Sequence, residues 1–362
     1  MRFSPIFFAA LAPAAVVAGV IKNNDAHGNN VCVVTANGDG DSAPAIVEAF
    51  EKCGHNPSNR RGKVVFQNET YNIKSVMRTL DLSNVDIDHR GTLLWDTNIS
   101  YWLNNSLPMG YQNQSTAWQF GGDNIHWYGH GYGTLNGNGQ LSTSNTDGAD
   151  TIYANNITFR RWTVQNGDDS ISQKANSTNI LIEDCDFYNG LGVAIGSIGQ
   201  YDGVFETIQN VTARNIRGHN TKYAAYIKTW TGVTKGYPPN GGGGGLGFVS
   251  GLLVEDYTLE NVFNTAFTIT QCTSYNGQTG QCDTSLFNIH DVTVRNISGT
   301  TTGDVVASLQ CSAASPCTGI TIEDVHLTDS TNGTTPKQYL CDSVVDPAGF
   351  SCTGPIPGEN PD

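Results

Sequence analysis

The sequence predicts an all-β chain wound as a parallel β-helix, a solenoid whose successive coils stack strand on strand. Three observations carry this. A short phrase recurs: NITFRRW from Asn156, NILIEDCDF from Asn179, NVTARNI from Asn210, GLLVEDYTL from Gly251, DVTVRNI from Asp291 and GITIEDVHL from Gly319. Each phrase alternates β-branched and polar residues at period two, the pattern of a strand with one buried face. No long amphipathic helix lies between the phrases, so parallel strands must be joined by winding the chain round a common axis. Charged residues are only 14% and glycines number 41, a balance suited to short strands and tight turns. The phrases recur at intervals of 23 residues upward, the range of one coil plus variable loops. An antiparallel sandwich is the runner-up, but it needs hairpin turns between phrases, and those are scarce.

Taken in chain order, residues 1–18 read as a secretory signal peptide. Arg2 supplies the positive charge, and Phe3 to Val17 is apolar but short, with Pro13 inside it and small residues near Ala18. Residues 19–362 are expected to form one catalytic domain. Ala43 to Lys52 has apolar residues at helical spacing and predicts a short helix capping the N-terminal end of the stack. Core positions are expected at Ile180, Ile182, Val211, Leu253, Val292, Val294, Ile320 and Ile322. Tyr237 to Gly247 (YPPNGGGGGLG) reads as a loop, either slack surface chain or one lip of a cleft.

Eight of the nine cysteines fall into local pairs: Cys32–Cys53, Cys272–Cys282, Cys311–Cys317 and Cys341–Cys352. Cys185 is left over and is expected in the core. Sequons at Asn68, Asn98, Asn104, Asn113, Asn156, Asn176, Asn210, Asn296 and Asn332 suit a secreted glycoprotein. The formal charge of −14 argues against nucleic acid as a partner. No segment after the leader could cross a bilayer, and no zinc spacing such as CxxC or HxxxH occurs.

Chemistry concentrates in NTDGAD (Asn145 to Asp150) and NGDDS (Asn166 to Ser170). Asp147 lies 21 residues before Asp168, and Asp169 follows directly. If that interval is one coil, the three acids converge and offer a proton donor with a water-activating base, the equipment for cleaving a glycosidic bond.

These motifs, with NGNGQ (Asn136 to Gln140), the glycine phrase GLGVAIGSIGQY (Gly190 to Tyr201) and YIK (Tyr226 to Lys228), occur in an order and spacing that resembles glycoside hydrolase family 28, the polygalacturonase-like pectin hydrolases. The resemblance runs from about Cys32 to Cys352. It implies a right-handed parallel β-helix, secretion, hydrolysis with inversion, and neither metal nor other cofactor. It makes Asp168 the general acid and gives Asp147 and Asp169 the attacking water. Two neighbouring anions are expected to raise the proton affinity of the third carboxyl. Lys228, Tyr226 and Leu191 become substrate contacts, and Asp150 a turn residue.

Three departures refine this. Members typically have GHG where this chain has Leu191 in GLG, and RIK where it has Tyr226 in YIK. Arginine forks onto a carboxylate; tyrosine cannot. The grip on an anionic uronate is weakened while the acids remain, which suits a less charged sugar carrying a methyl group. The sequence resembles the branch assigned to α-L-rhamnosidase and exo-rhamnogalacturonan hydrolases. The expectation is therefore an exo-acting enzyme, working as a monomer on pectic polysaccharide and releasing L-rhamnose. Release of galacturonic acid is the first alternative, and an inert solenoid that only binds pectin the second. His219 and His130 are expected as loop histidines bonded to backbone, not as replacements for the missing one. The third departure is a shortened junction near 140–145, where only LSTS separates NGNGQ from NTDG. One or two coils are expected to be absent there.

Overall fold

A computed structural model describes residues 19–139, 146–239, 241–277 and 281–357. The expected leader (1–18) and the shortened junction (140–145) lie outside the described residues. The chain divides into two compact units, the first built from residues before about 141 and the second from Ser142 onward together with Tyr111–Asn113.

In the first unit a five-stranded sheet runs in the order Gly19–Asn24, Asn30–Thr35, Gly62–Phe66, Met77–His89, Trp118–Tyr128, parallel apart from its first pair. The predicted helix is present as Ala43–Cys53. It buries Ala43, Ala45, Ile46, Ala49, Phe50 and Cys53, the stripe that its spacing implied. Phe50 meets Phe66 and Trp118 with tilted rings and Phe120 edge to face. A second helix, Ile99–Asn105, was not expected. It buries no residue and is held by its cap, Asn98 Oδ1 accepting from the Tyr101 N–H at 3.0 Å.

The second unit is a stack of parallel coils. One sheet, here the site sheet, runs through Asp150–Thr151, Asp169–Gln173, Gly192–Ile198, Tyr223–Trp230, Thr265–Thr273, Val305–Gln310 and Gln338–Asp342. The other is made from the recurring phrases: Asn155–Arg160, Ser177–Asn189, Phe205–His219, Leu246–Val262, Asn288–Thr301, Cys317–Asp329 and Val344–Val345.

The phrases align residue on residue because each opens and closes on a left-handed bend. The openings Asn179, Asn210, Gly251, Asp291 and Gly319 have φ of 55–66°, and the closings Asp184, Asn215, Asp256, Asn296 and Asp324 have φ of 51–58°. Asparagine, aspartate and glycine tolerate that region best, which explains the small or polar residue at both ends of every phrase. The bends also stack. Asn210 Nδ2 donates to Asn179 Oδ1 at 3.1 Å, and Asn179 Nδ2 to Asn155 Oδ1 at 2.8 Å.

Between the bends, Ile180, Ile182, Val211, Val292, Val294, Ile320 and Ile322 are buried as expected. Leu253 is not. Leu252 pairs with Val211 and Val292 and points inward with Val254, which puts Leu253 on the other face beside Thr212 and Thr293. Two adjacent leucines leave the strand parity open; the Gly251 bend sets it.

All four cysteine pairs are bonded, and Cys185 is a free thiol in the core, where burial pushes it up to about 11. The glycine-rich loop is not slack. The N–H groups of Gly243, Gly244 and Gly245 donate to the carbonyls of Gln200, Thr231 and Gly199, and a Cβ on Gly245 would lie 2.5 Å from Gly199. These glycines let backbone pack on backbone, and the last two residues, Leu246 and Gly247, already belong to a strand. All nine sequon asparagines are exposed.

Candidate active site

Asp150 pairs with Ser172, so the interval from Asp147 to Asp168 is one coil and the two motifs are stacked neighbours. Their local shape follows from the residues around the acids. Asn166 Nδ2 donates to the carbonyls of Thr146, Asp168 and Asp169 at 3.0, 2.9 and 2.6 Å, clamping the NGDDS turn. Gly148 donates to Asp169 O, and its missing Cβ would lie 2.4 Å from Ser170 O. Gly190 (φ 63°) and the Leu191 N–H close on Asp168 O from the next coil. The motif glycines are therefore required by close approach of stacked backbones.

The result is a carboxyl cluster. One oxygen each of Asp147, Asp168 and Asp169 lies within 4.8 Å of the others. Asp150, expected as a turn residue, joins them, its carboxyl close enough to Asp147 for the charge of each to act on the other. Burial, then the neighbouring carboxylates, pushes Asp147 up to about 8. Burial also raises Asp150 and Asp169. Burial thus raises the proton affinity of Asp147, Asp150 and Asp169. Asp169 is buried, and Asp147, Asp150 and Asp168 are half-buried.

Sequence reasoning missed the cation in this cluster. Lys174, with a side chain only 5% exposed, places Nζ 3.5 Å from Asp169 Oδ2, 3.8 Å from Asp147 Oδ2 and 3.1 Å from Gly196 O. It lies two residues beyond Ser172 on the same strand face. The signal was a lysine at the end of an otherwise small and apolar strand, SISQKA; its partners appear only once the coils stack.

Tyr226 reaches the acids directly, its hydroxyl donating to Asp169 Oδ1 at 2.5 Å. This bond and Lys174 favour the Asp169 anion and oppose its burial. Tyr226 packs with Tyr223 and Ala194, and Leu191 lies against them, so an apolar aromatic shelf flanks the carboxyls. Lys228 follows on the same strand face as Tyr226, in register with Gly196 and Thr270. The two histidines bond to acids rather than backbone. His219 stacks on Tyr188 and pairs with Glu260 at 2.7 Å, and His130 pairs with Asp88 at 2.8 Å.

The cluster has a consequence for stability. The folded state holds a proton on Asp147 up to about pH 8, whereas an unfolded aspartate releases it near ~3.9. That contribution is full below about pH 4 and is lost as the pH rises toward 8. Melting temperature is expected to fall across this interval. Asp147→Asn should flatten the slope in scanning calorimetry; an unchanged slope would remove the cluster as its source.

Comparison with known proteins agrees with this architecture. The family model for glycosyl hydrolases family 28 matches residues 134–352. The chain is 43% identical to alpha-L-rhamnosidase rgxB of Aspergillus niger, covering 97% of this chain and 96% of that protein. It is 30% identical to exopolygalacturonase X of Aspergillus niger over 81% of each. Among solved structures, endo-xylogalacturonan hydrolase from Aspergillus tubingensis superposes with a TM-score of 0.64 over 91% of this chain and 100% of that one, at 22% identity. The fold is accordingly a right-handed parallel β-helix, and the chain is a glycoside hydrolase belonging to glycosyl hydrolases family 28.

Proposed function

We propose that the protein is a secreted, exo-acting, inverting hydrolase that releases L-rhamnose from rhamnogalacturonan. One observation carries the choice of sugar: the shelf of Leu191, Ala194, Tyr223 and Tyr226 beside the acids, with Tyr226 committed to Asp169. A deoxy sugar presents a methyl group to such a surface, whereas a uronate would need a fork of donors there. The 43% identity to a protein named as an alpha-L-rhamnosidase supports the same reading. That alignment extends over 417 positions against 362 residues here, so the relative carries segments that this chain lacks, in keeping with a shortened stack.

In this reading Asp168 protonates the leaving oxygen. Asp169, flanked by the Lys174 ammonium and the Tyr226 hydroxyl, takes the proton of the attacking water. Asp147 helps hold that water. Lys228 contacts the sugar.

The second reading, release of galacturonic acid, draws on the exopolygalacturonase relative and on Lys228 as a point charge. Digestion of rhamnogalacturonan and homogalacturonan oligomers side by side separates the two. Free rhamnose from the first and nothing from the second is expected; galacturonic acid alone would reverse the assignment. The same digestion tests inversion. The acid oxygens sit closer than the roughly 6.5–9.5 Å usual for an inverting pair. Time-resolved NMR should nevertheless show the β-anomer first, because the water is held by two acids apart from the donor. The α-anomer first would assign a covalent intermediate instead.

A further inference from the structure

We propose a second carbohydrate site, a groove on the outer face of the five-stranded sheet in the first unit that binds uronate-bearing oligosaccharide. It rests on the pectic-substrate reading, but not on the acid cluster. The inward residues of this sheet, Val34, Val64, Phe66, Val85 and Ile87, are buried. Alternation turns Val31, Lys63, Val65 and Asp88 the other way, and register sets Lys63 beside Val31 and Val65 beside Asp88.

These residues, with Arg90 and Tyr132, line a groove of about 680 Å³, within the ~300–1,000 Å³ usual for ligand sites. Asp88 is nearly enclosed and over-committed. It accepts from Lys63 Nζ at 2.8 Å, from Arg90 Nε and Nη2 at 2.7 and 3.0 Å, and from His130 Nε2 at 2.8 Å. Asp88 uses one ammonium donor and two guanidinium donors, so Lys63 and Arg90, which are 41% and 49% exposed, keep further N–H groups for a ligand, while Asp25 and Asp88 balance their formal charge. The neighbouring Asp86 is taken by Arg61. Asp25 closes one end, but its carboxylate turns into its own loop, accepting from the N–H groups of His27 and Asn29 at 2.8 Å each.

The spare donors of Lys63 and Arg90 suit a carboxylate, which accepts from an ammonium or guanidinium in charge-assisted bonds. The remaining walls select for the shape of the molecule that carries it. Tyr132 is 56% exposed, and Val31 and Val65 supply apolar surface. A pyranose ring has apolar faces to lie against them, and a C6 carboxylate to meet Lys63 and Arg90. Galacturonate units in a chain meet both requirements; a neutral sugar meets only one.

Affinity electrophoresis through gels containing polygalacturonate or neutral galactan tests this, using the full chain and the full chain with Asn68→Gln, since the Asn68 sequon borders the groove. Polygalacturonate is expected to retard the protein in a salt-sensitive way, and galactan is not. Lys63→Ala/Tyr132→Ala keeps Arg90 and His130 on Asp88. It should weaken retention at least tenfold, with sugar release from a short soluble oligomer unchanged. Tyr132→Ala alone should weaken it less, and serves if the double variant misfolds. Equal retention of the variants, equal retention by galactan, or no retention of either parent form would overturn the site. Sugar release without retention removes the groove alone; retention without sugar release removes the catalytic reading alone.

Discussion

Asp168→Asn should lower the rate of sugar release by about 10²–10⁴-fold, the range for loss of a positioned proton donor. The change keeps shape and removes the acidic proton. Asp168 is half-buried, its Oδ1 accepts from the Asp169 N–H at 2.9 Å, and its carbonyl carries the bonds that fix the turn. An asparagine can keep those contacts, so melting temperature should stay close to that of the parent. The loss should fall on kcat, with KM little changed, because the missing interaction is made in the transition state. Sugar release at the parental rate would reject the enzyme reading as drawn. A parent without activity on any pectic oligomer would favour a solenoid that only binds.

Lys174→Met should be nearly as severe, for a different reason. The side chain keeps its length and loses its charge. Asp147, Asp150 and Asp169 then share an enclosed space without the ammonium that now sits 3.5–3.8 Å from two of them. Their proton affinity rises further, so Asp169 becomes a carboxylate only at higher pH. The acidic limb of the kcat/KM profile should therefore move to higher pH, and the rate under mildly acidic conditions should drop. Removing one partner of a buried ion pair costs about 3–5 kcal/mol. Here the cost should be greatest near neutral pH and smaller under acid, where the acids are already protonated. Lys174→Arg should restore much of the limb. A variant with an unmoved limb and only a raised KM would make Lys174 a binding residue instead.

What could be read from the sequence divides along physical lines. The recurring phrases were visible because left-handed bends admit few residue types, so Asn179, Asn210, Gly251, Asp291 and Gly319 mark each coil. The helix Ala43–Cys53 was visible because it buries a stripe. Ile99–Asn105 was not, because it buries nothing and its cap residue, Asn98, also reads as a sequon. Asp147, Asp168 and Asp169 were legible as paired motifs. Asp150 and Lys174 enter the cluster only when one coil is laid on the next, a relation that spacing within a coil does not encode. Tyr226 was legible as a departure, but its bond to Asp169, which sets it among the acids, required the register of the strands.

Three of the four disulfides close loops beyond residue 271. In a structure where each layer leans mainly on the layers beside it, melting can begin at an end and travel inward. Those covalent ties make the last layers the hardest place for such a front to start. Loss of order under heat or reductant should then have a direction. With the thiols oxidised, the carboxyl-terminal layers outlast the rest; once reduced, they lose that advantage.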